Sequence, residues 1–87
     1  MTTPLPPAGM LEHVAAYAIR NQVGTWAALK NRAHVGHHTM TVLVDALEYL
    51  GVLGPPDRHA KREVLIPYSD LDTALDKVRA YERGDLT

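Results

Sequence analysis

The stretch from Thr25 to Gly54 constrains the fold more than any other, because it holds two apolar patterns of helical period separated by a glycine-bearing turn. After Gly36, Met40, Leu43, Val44, Leu47 and Leu50 recur on one face, while Thr39, Thr41, Val42, Asp45, Ala46, Glu48 and Tyr49 fall on the others. That helix, expected over 38–50, has one side to bury and one to show. The segment before it, 25–34, has Trp26, Leu29 and Ala33 as its apolar positions, and His34-Val35-Gly36-His37 joins the two. Two helices joined by a short Gly-containing turn form the pattern of a helix-turn-helix, whose second helix commonly enters the major groove of DNA. The exposed residues of 38–50 are therefore the first place to look for function.

Length and charge narrow the options. Eighty-seven residues make one modest core and leave little room for a catalytic fold with its own cleft, so no enzyme is expected. No Ser/His/Asp arrangement, Gly-rich phosphate loop or locally spaced acid pair argues otherwise. The formal net charge is -1, so any basic footprint must be local. Cysteine is absent, which removes disulfides and thiolate metal sites and suits a reducing compartment. No apolar run approaches the roughly 20 residues that span a bilayer, and the first nine residues lack the features of a secretory signal. The expectation is a cytoplasmic protein with no cofactor and no small-molecule substrate.

In chain order, 1–9 is rich in proline and reads as a disordered tail. Leu11, Val14, Ala15, Ala18 and Ile19 then mark an amphipathic helix over 10–21. Val23 suits a short strand and Thr25 the cap of the next helix. Gly51 suits the left-handed position past the end of the long helix. Val52-Leu53-Gly54 and Glu63-Val64-Leu65-Ile66 read as two strands about a Pro55-Pro56-Asp57 turn, the tip holding Arg58, His59, Lys61 and Arg62. Ser69-Asp70-Leu71-Asp72 looks like a capping box opening a last helix over 69–83, with Leu71, Ala74, Leu75, Val78 and Tyr81 as its stripe. These elements predict an α+β winged helix over 10–67, followed by an extra C-terminal helix and tail over 68–87.

Between about Leu11 and Pro67 the chain resembles the gamma domain of FtsK-type DNA translocases. The matching words are Leu29, Val35-Gly36, Leu43-Val44-Asp45-Ala46-Leu47-Glu48, Gly51-Val52-Leu53-Gly54-Pro55-Pro56-Asp57 and Arg62-Glu63-Val64-Leu65. The resemblance implies a bacterial source, a winged helix and sequence-specific duplex binding. It fails where the family runs Gly-Tyr-Asn-Arg-Ala-Ala-Arg into the recognition helix, since Gly36-His37-His38-Thr39-Met40-Thr41-Val42 stands here. Arg reads guanine and Asn reads adenine, each good pair giving roughly 1 to 3 kcal/mol of discrimination, so the family's guanine-rich preference does not carry over. The translocase motor is missing, which fits an excised domain, a stand-alone relative, or a conjugative or phage system that borrowed the fold.

The residues expected to face bases are His37, His38, Thr39, Thr41 and Val42, and those expected to face phosphates are Lys30, Arg32, Arg58, Lys61 and Arg62. The histidines at 34, 37 and 38 also admit a metal reading, which Gly36 and the lack of nearby Cys or carboxylate disfavour. Leu71, Leu75, Val78 and Tyr81 have two ways to be covered. One is homodimerisation across a two-fold axis, the favoured expectation; the other is packing on the first helix within one chain. A protein-binding module without DNA binding is the alternative function.

Overall fold

The computed structural model describes residues 9–58 and 61–84. Residues 1–8 of the expected Pro-rich tail and His59 at the hairpin tip lie outside the described residues. Four α-helices form: α1 (Met10–Asn21), α2 (Trp26–Ala33), α3 (His37–Tyr49) and α4 (Leu71–Glu82), with a 3-10 turn at Tyr68–Asp70 leading into the last.

Each helix buries the stripe its period marks. Val14, Ala15, Ala18 and Ile19 of α1 are fully buried, as are Leu29 of α2, Met40 and Leu47 of α3 and Val78 of α4. Helix α1 is the hub, contacting α4 most extensively and also α2 and α3. Ala15 and Ala18 carry only a methyl each, which lets neighbouring helices approach the α1 backbone closely. Arg79 ties α4 to α1 through Glu12 at 2.8 Å and also reaches Asp76 at 3.0 Å. The hydrogen bond and charge of Glu12, with a smaller part from Asp76, raise the Arg79 pKa above its ordinary value.

The helix ends are set by backbone geometry more than by caps. Gly51 takes φ +80°; its N–H donates to Glu48 O and that of Val52 to Leu47 O, which closes α3 with a Schellman motif. His34 ends α2 in the left-handed region at φ 54°. Gln22 ends α1 likewise at φ 52°, and its side-chain amide donates to Ile19 O and across to Ile66 O. Thr25 and Asp70 occupy the N-cap positions of α2 and α4, yet neither side chain makes a capping bond. The capping box expected from Ser69 is therefore not formed, because that residue lies inside the 3-10 turn.

The expected α+β winged helix is corrected: among the described residues there are four helices and no strand. Residues 52–66 do fold back on themselves, with Gly54 N–H donating to Glu63 O and Leu65 N–H to Val52 O. The pairing stops at one isolated bridge, Leu53 to Val64, and Val23 forms no strand; only Thr25 makes a bridge, to Lys61. The reason lies in the sequence. Pro55 and Pro56 follow Gly54 at once and offer no N–H, and Pro67 ends the other arm, so no ladder can propagate. Helix α2 begins one residue after Thr25, which ends the second bridge as abruptly.

What joins this loop to the helices is a close approach of main chain. A Cβ placed on Gly24 would overlap the Arg62 carbonyl and crowd the Leu53 side chain. Gly24→Ala is accordingly expected to lower stability by about 1–3 kcal/mol, the usual cost of overpacking, measured by urea denaturation with secondary structure retained. A change within about 0.5 kcal/mol, the range of ordinary surface substitutions, would mean that the 61–62 segment is not held against the start of α2.

Candidate nucleic-acid interface

Helix α3 presents its N-terminal turn to solvent. His37 and His38 are exposed and Thr41 is half-buried, and the three lie on adjoining positions of the outward surface. The first α3 amide with a helical acceptor is that of Met40, which donates to Gly36 O. The start of a helix is a favourable setting for an anion. The first turn holds no acidic side chain. His37 lies against the Trp26 ring, with centroids 4.9 Å apart, so the turn and α2 hold it from behind. Thr41 donates its hydroxyl to His37 O at 3.1 Å, leaving an acceptor and a methyl group outward.

The other two residues expected to face bases, Thr39 and Val42, are half-buried. Val42 lines a groove of about 640 Å³ together with Leu11, Ala46 and Tyr81, on the flank of α3 that meets α1 and α4. Thr39 stands three residues before Val42 and shares that flank. The middle and end of the solvent face belong to residues not singled out in the sequence: Asp45, Glu48 and Tyr49, all exposed. Tyr49 is 69% exposed and touches the Tyr81 ring, with centroids 5.9 Å apart.

The cations separate into three groups. Arg58 and Lys61 are exposed on the loop, where Lys61 N–H donates to Asp57 Oδ1 and Asp57 N–H to Lys61 O, closing the tip on itself. Lys30 is half-buried on the Trp26 flank of α2. Arg32, two residues on, points to the opposite flank, because positions i and i+2 of a helix do not face each other, and there its guanidinium stands 5.5 Å from the Tyr17 ring centroid. Arg62 is engaged inside the chain. Its Nη1 donates to Glu48 at 2.7 Å and to Gly54 O at 3.1 Å, with only 13% of the side chain exposed. It therefore fastens the loop to the end of α3 and neutralises one of that helix's two acids.

The residues expected to dimerise lie within the chain's own core. Leu71, Leu75 and Val78 are buried against it and Tyr81 is packed on its edge, so the intrachain alternative is the one realised. Among the described residues no group of three His, Asp or Glu comes together to hold a metal ion, and His34 serves as the left-handed end of α2. No helix among them is long and apolar enough to cross a membrane.

Comparison with known proteins then bears on the family. Over 62 residues, 71% of this chain, the sequence is 34% identical to the DNA translocase FtsK of Tropheryma whipplei (strain TW08/27). Over 67 residues, 77% of the chain, it is 30% identical to the DNA translocase FtsK of Corynebacterium efficiens. The chain is a relative of FtsK-type DNA translocases. It corresponds to a small part of them, 8% and 7% of their respective lengths, consistent with an FtsK-gamma-like domain. No family model matches the chain, and no solved structure does.

Arg62 thus has a role that spacing alone does not reveal, because its partner Glu48 is 14 positions away on another element. A double-mutant cycle tests it. Arg62→Ala is expected to cost about 1–2 kcal/mol of stability, since it breaks hydrogen bonds to a carboxylate and a carbonyl. Its coupling with Glu48→Ala is expected near 0.5–1 kcal/mol, as Glu48 is partly exposed. Additive single effects and an unchanged Arg62→Ala stability would return Arg62 to the set of free surface cations.

Proposed function

We propose that this chain binds double-stranded DNA through the N-terminal half of α3, with His37, His38 and Thr41 toward base edges and Lys30, Arg58 and Lys61 toward phosphates. The observation that carries the reading is the similarity to two DNA translocases over 71% and 77% of the chain. An exposed, acid-free start of α3 supports it, as does the bridge of Lys61 to Thr25, whose neighbour Trp26 lies against His37. His and Thr can hydrogen-bond base edges, and the Thr41 methyl can pack on a thymine methyl. The binding is sequence-specific but differs in target from a site read by Arg and Asn, and it serves DNA transfer, translocation or transcriptional control without a catalytic step.

One observation favours a second reading, a protein-binding module. The C-terminal half of the α3 solvent face offers Asp45, Glu48 and a 69% exposed Tyr49. Exposed aromatic side chains are typical anchors of protein interfaces, and carboxylates repel phosphates.

Fluorescence anisotropy with a labelled duplex pool, followed by selection and sequencing, separates the two. Duplex binding is expected to weaken with salt, with a slope of roughly −2.7 for three phosphate contacts. Lys61→Ala should reduce the slope by about 1, whereas His38→Ala with Thr41→Ala should erase the preference for selected over random duplex and leave the slope in place. No retention of any duplex at low salt would overturn the proposal and favour the protein-binding reading.

A further inference from the structure

Away from the α3 surface, α1 and α2 enclose a second concavity of about 300 Å³, lined by His13, Ala16, Tyr17, Arg20, Asn21 and Arg32. Its chemistry differs from that of the larger groove, because the lining includes two arginines and a histidine and no carboxylate. His13, Tyr17 and Arg20 follow at intervals of four and three on α1, which aligns them along one wall above the buried Ala16. Arg32 enters from α2 and stands 5.5 Å from the Tyr17 ring centroid, a cation–π contact that limits where its guanidinium can go. Asn21 Nδ2 donates to Tyr17 O at 3.0 Å and fixes the floor of the same turn.

The arginines of this concavity are also unlike two others in the chain. Arg62 and Arg79 are each held by a carboxylate, at 2.7 and 2.8 Å. Among the described residues Arg20 is exposed with no acid bridged to it, and Arg32 stands over the Tyr17 ring without a carboxylate partner. Two guanidinium groups lining one hollow, with no carboxylate on its wall, give it a positive potential that favours an anion. The guanidinium fork matches phosphate oxygens bidentately, which an ammonium cannot do.

We infer that the His13–Arg20–Arg32 concavity binds a phosphate group, and that the phosphate is a backbone phosphodiester of the DNA duplex. This rests on the DNA reading above and deepens it. It adds Arg20 and His13 to the interface, and it explains why Arg32 points away from Lys30: the two serve different phosphates. The duplex thus meets the chain at the α3 start and loop, and again on the outward side of α1 and α2.

The test is a nuclear magnetic resonance titration of the labelled full chain, once with a short duplex and once with inorganic phosphate, repeated with Arg20→Ala plus Arg32→Ala. The Tyr17 ring and the Arg20 and Arg32 Nε resonances are expected to shift with duplex, and weakly with millimolar phosphate. Both sets of shifts should vanish in the double variant, whose arginine positions are exposed and whose amide spectrum should stay folded. Its duplex affinity should fall on the order of tenfold at moderate salt, and its salt slope by about 0.9, one phosphate contact. If duplex moves His37, His38 and Thr41 and leaves Tyr17 and the two arginines still, the concavity assignment is wrong and the α3 reading stands. Shifts confined to the concavity would support this inference and count against the α3 reading. Shifts with inorganic phosphate and none with duplex would overturn the duplex as the source.

Discussion

Burial of one face of α1 is the constraint on which the remaining structure depends. Val14, Ala15, Ala18 and Ile19 are fully buried there, and α2, α3 and α4 all meet this helix. A 12-residue helix such as α4 is marginal by itself in water. Covering Leu71, Leu75 and Val78 contributes roughly 1.5–3 kcal/mol per side chain, enough to hold it in place. Because α4 packs against α1, its apolar stripe is spent inside the chain. The outward surface of α3 is left uncovered by the packing that orients it.

The loop of residues 52–66 is positioned by a different kind of interaction. No strand ladder forms among the described residues, so its place is set by a few fixed points. These are the Schellman turn at Gly51, the Leu53–Val64 bridge, the approach of Gly24 to the Arg62 carbonyl, and the Arg62 bridge to Glu48. Arg58 and Lys61 are carried on that framework, Lys61 at the bridge to Thr25 that precedes α2. The charge balance also becomes intelligible. A net charge of -1 is compatible with a nucleic-acid surface because Arg62 and Glu48 cancel each other, and Glu12 and Asp76 are occupied by Arg79.

The helices were legible because burial imposes a period of 3.6 residues, and the apolar stripes of α1, α3 and α4 keep it throughout. The stop at Gly51 was equally plain, resting on a left-handed backbone that glycine serves well, whereas Gly36 is extended and the left-handed residue of its turn is His34. The winged-helix expectation failed where local pattern and pairing diverge. Val52-Leu53 and Val64-Leu65 have the composition of strands, but the adjacent prolines remove the donors that a ladder needs. Among the site residues, exposure of His37 and His38 followed from their position at a helix start. That Val42 lines a groove beside Leu11 and Tyr81 is a tertiary matter that the period of one helix does not reveal. The engagement of Arg62 by Glu48 and the convergence of Arg20 with Arg32 are tertiary facts, and no spacing within one element encodes them.

The claim that α4 belongs to the core of its own chain is tested most directly by Leu75→Asp with Val78→Asp, followed by circular dichroism and sedimentation velocity on wild type and variant. The account predicts a wild type that is folded as a monomer, and a variant that loses most of its helical signal at room temperature because two carboxylates cannot be buried against α1. A wild-type dimer that the two substitutions convert into folded monomers would contradict it.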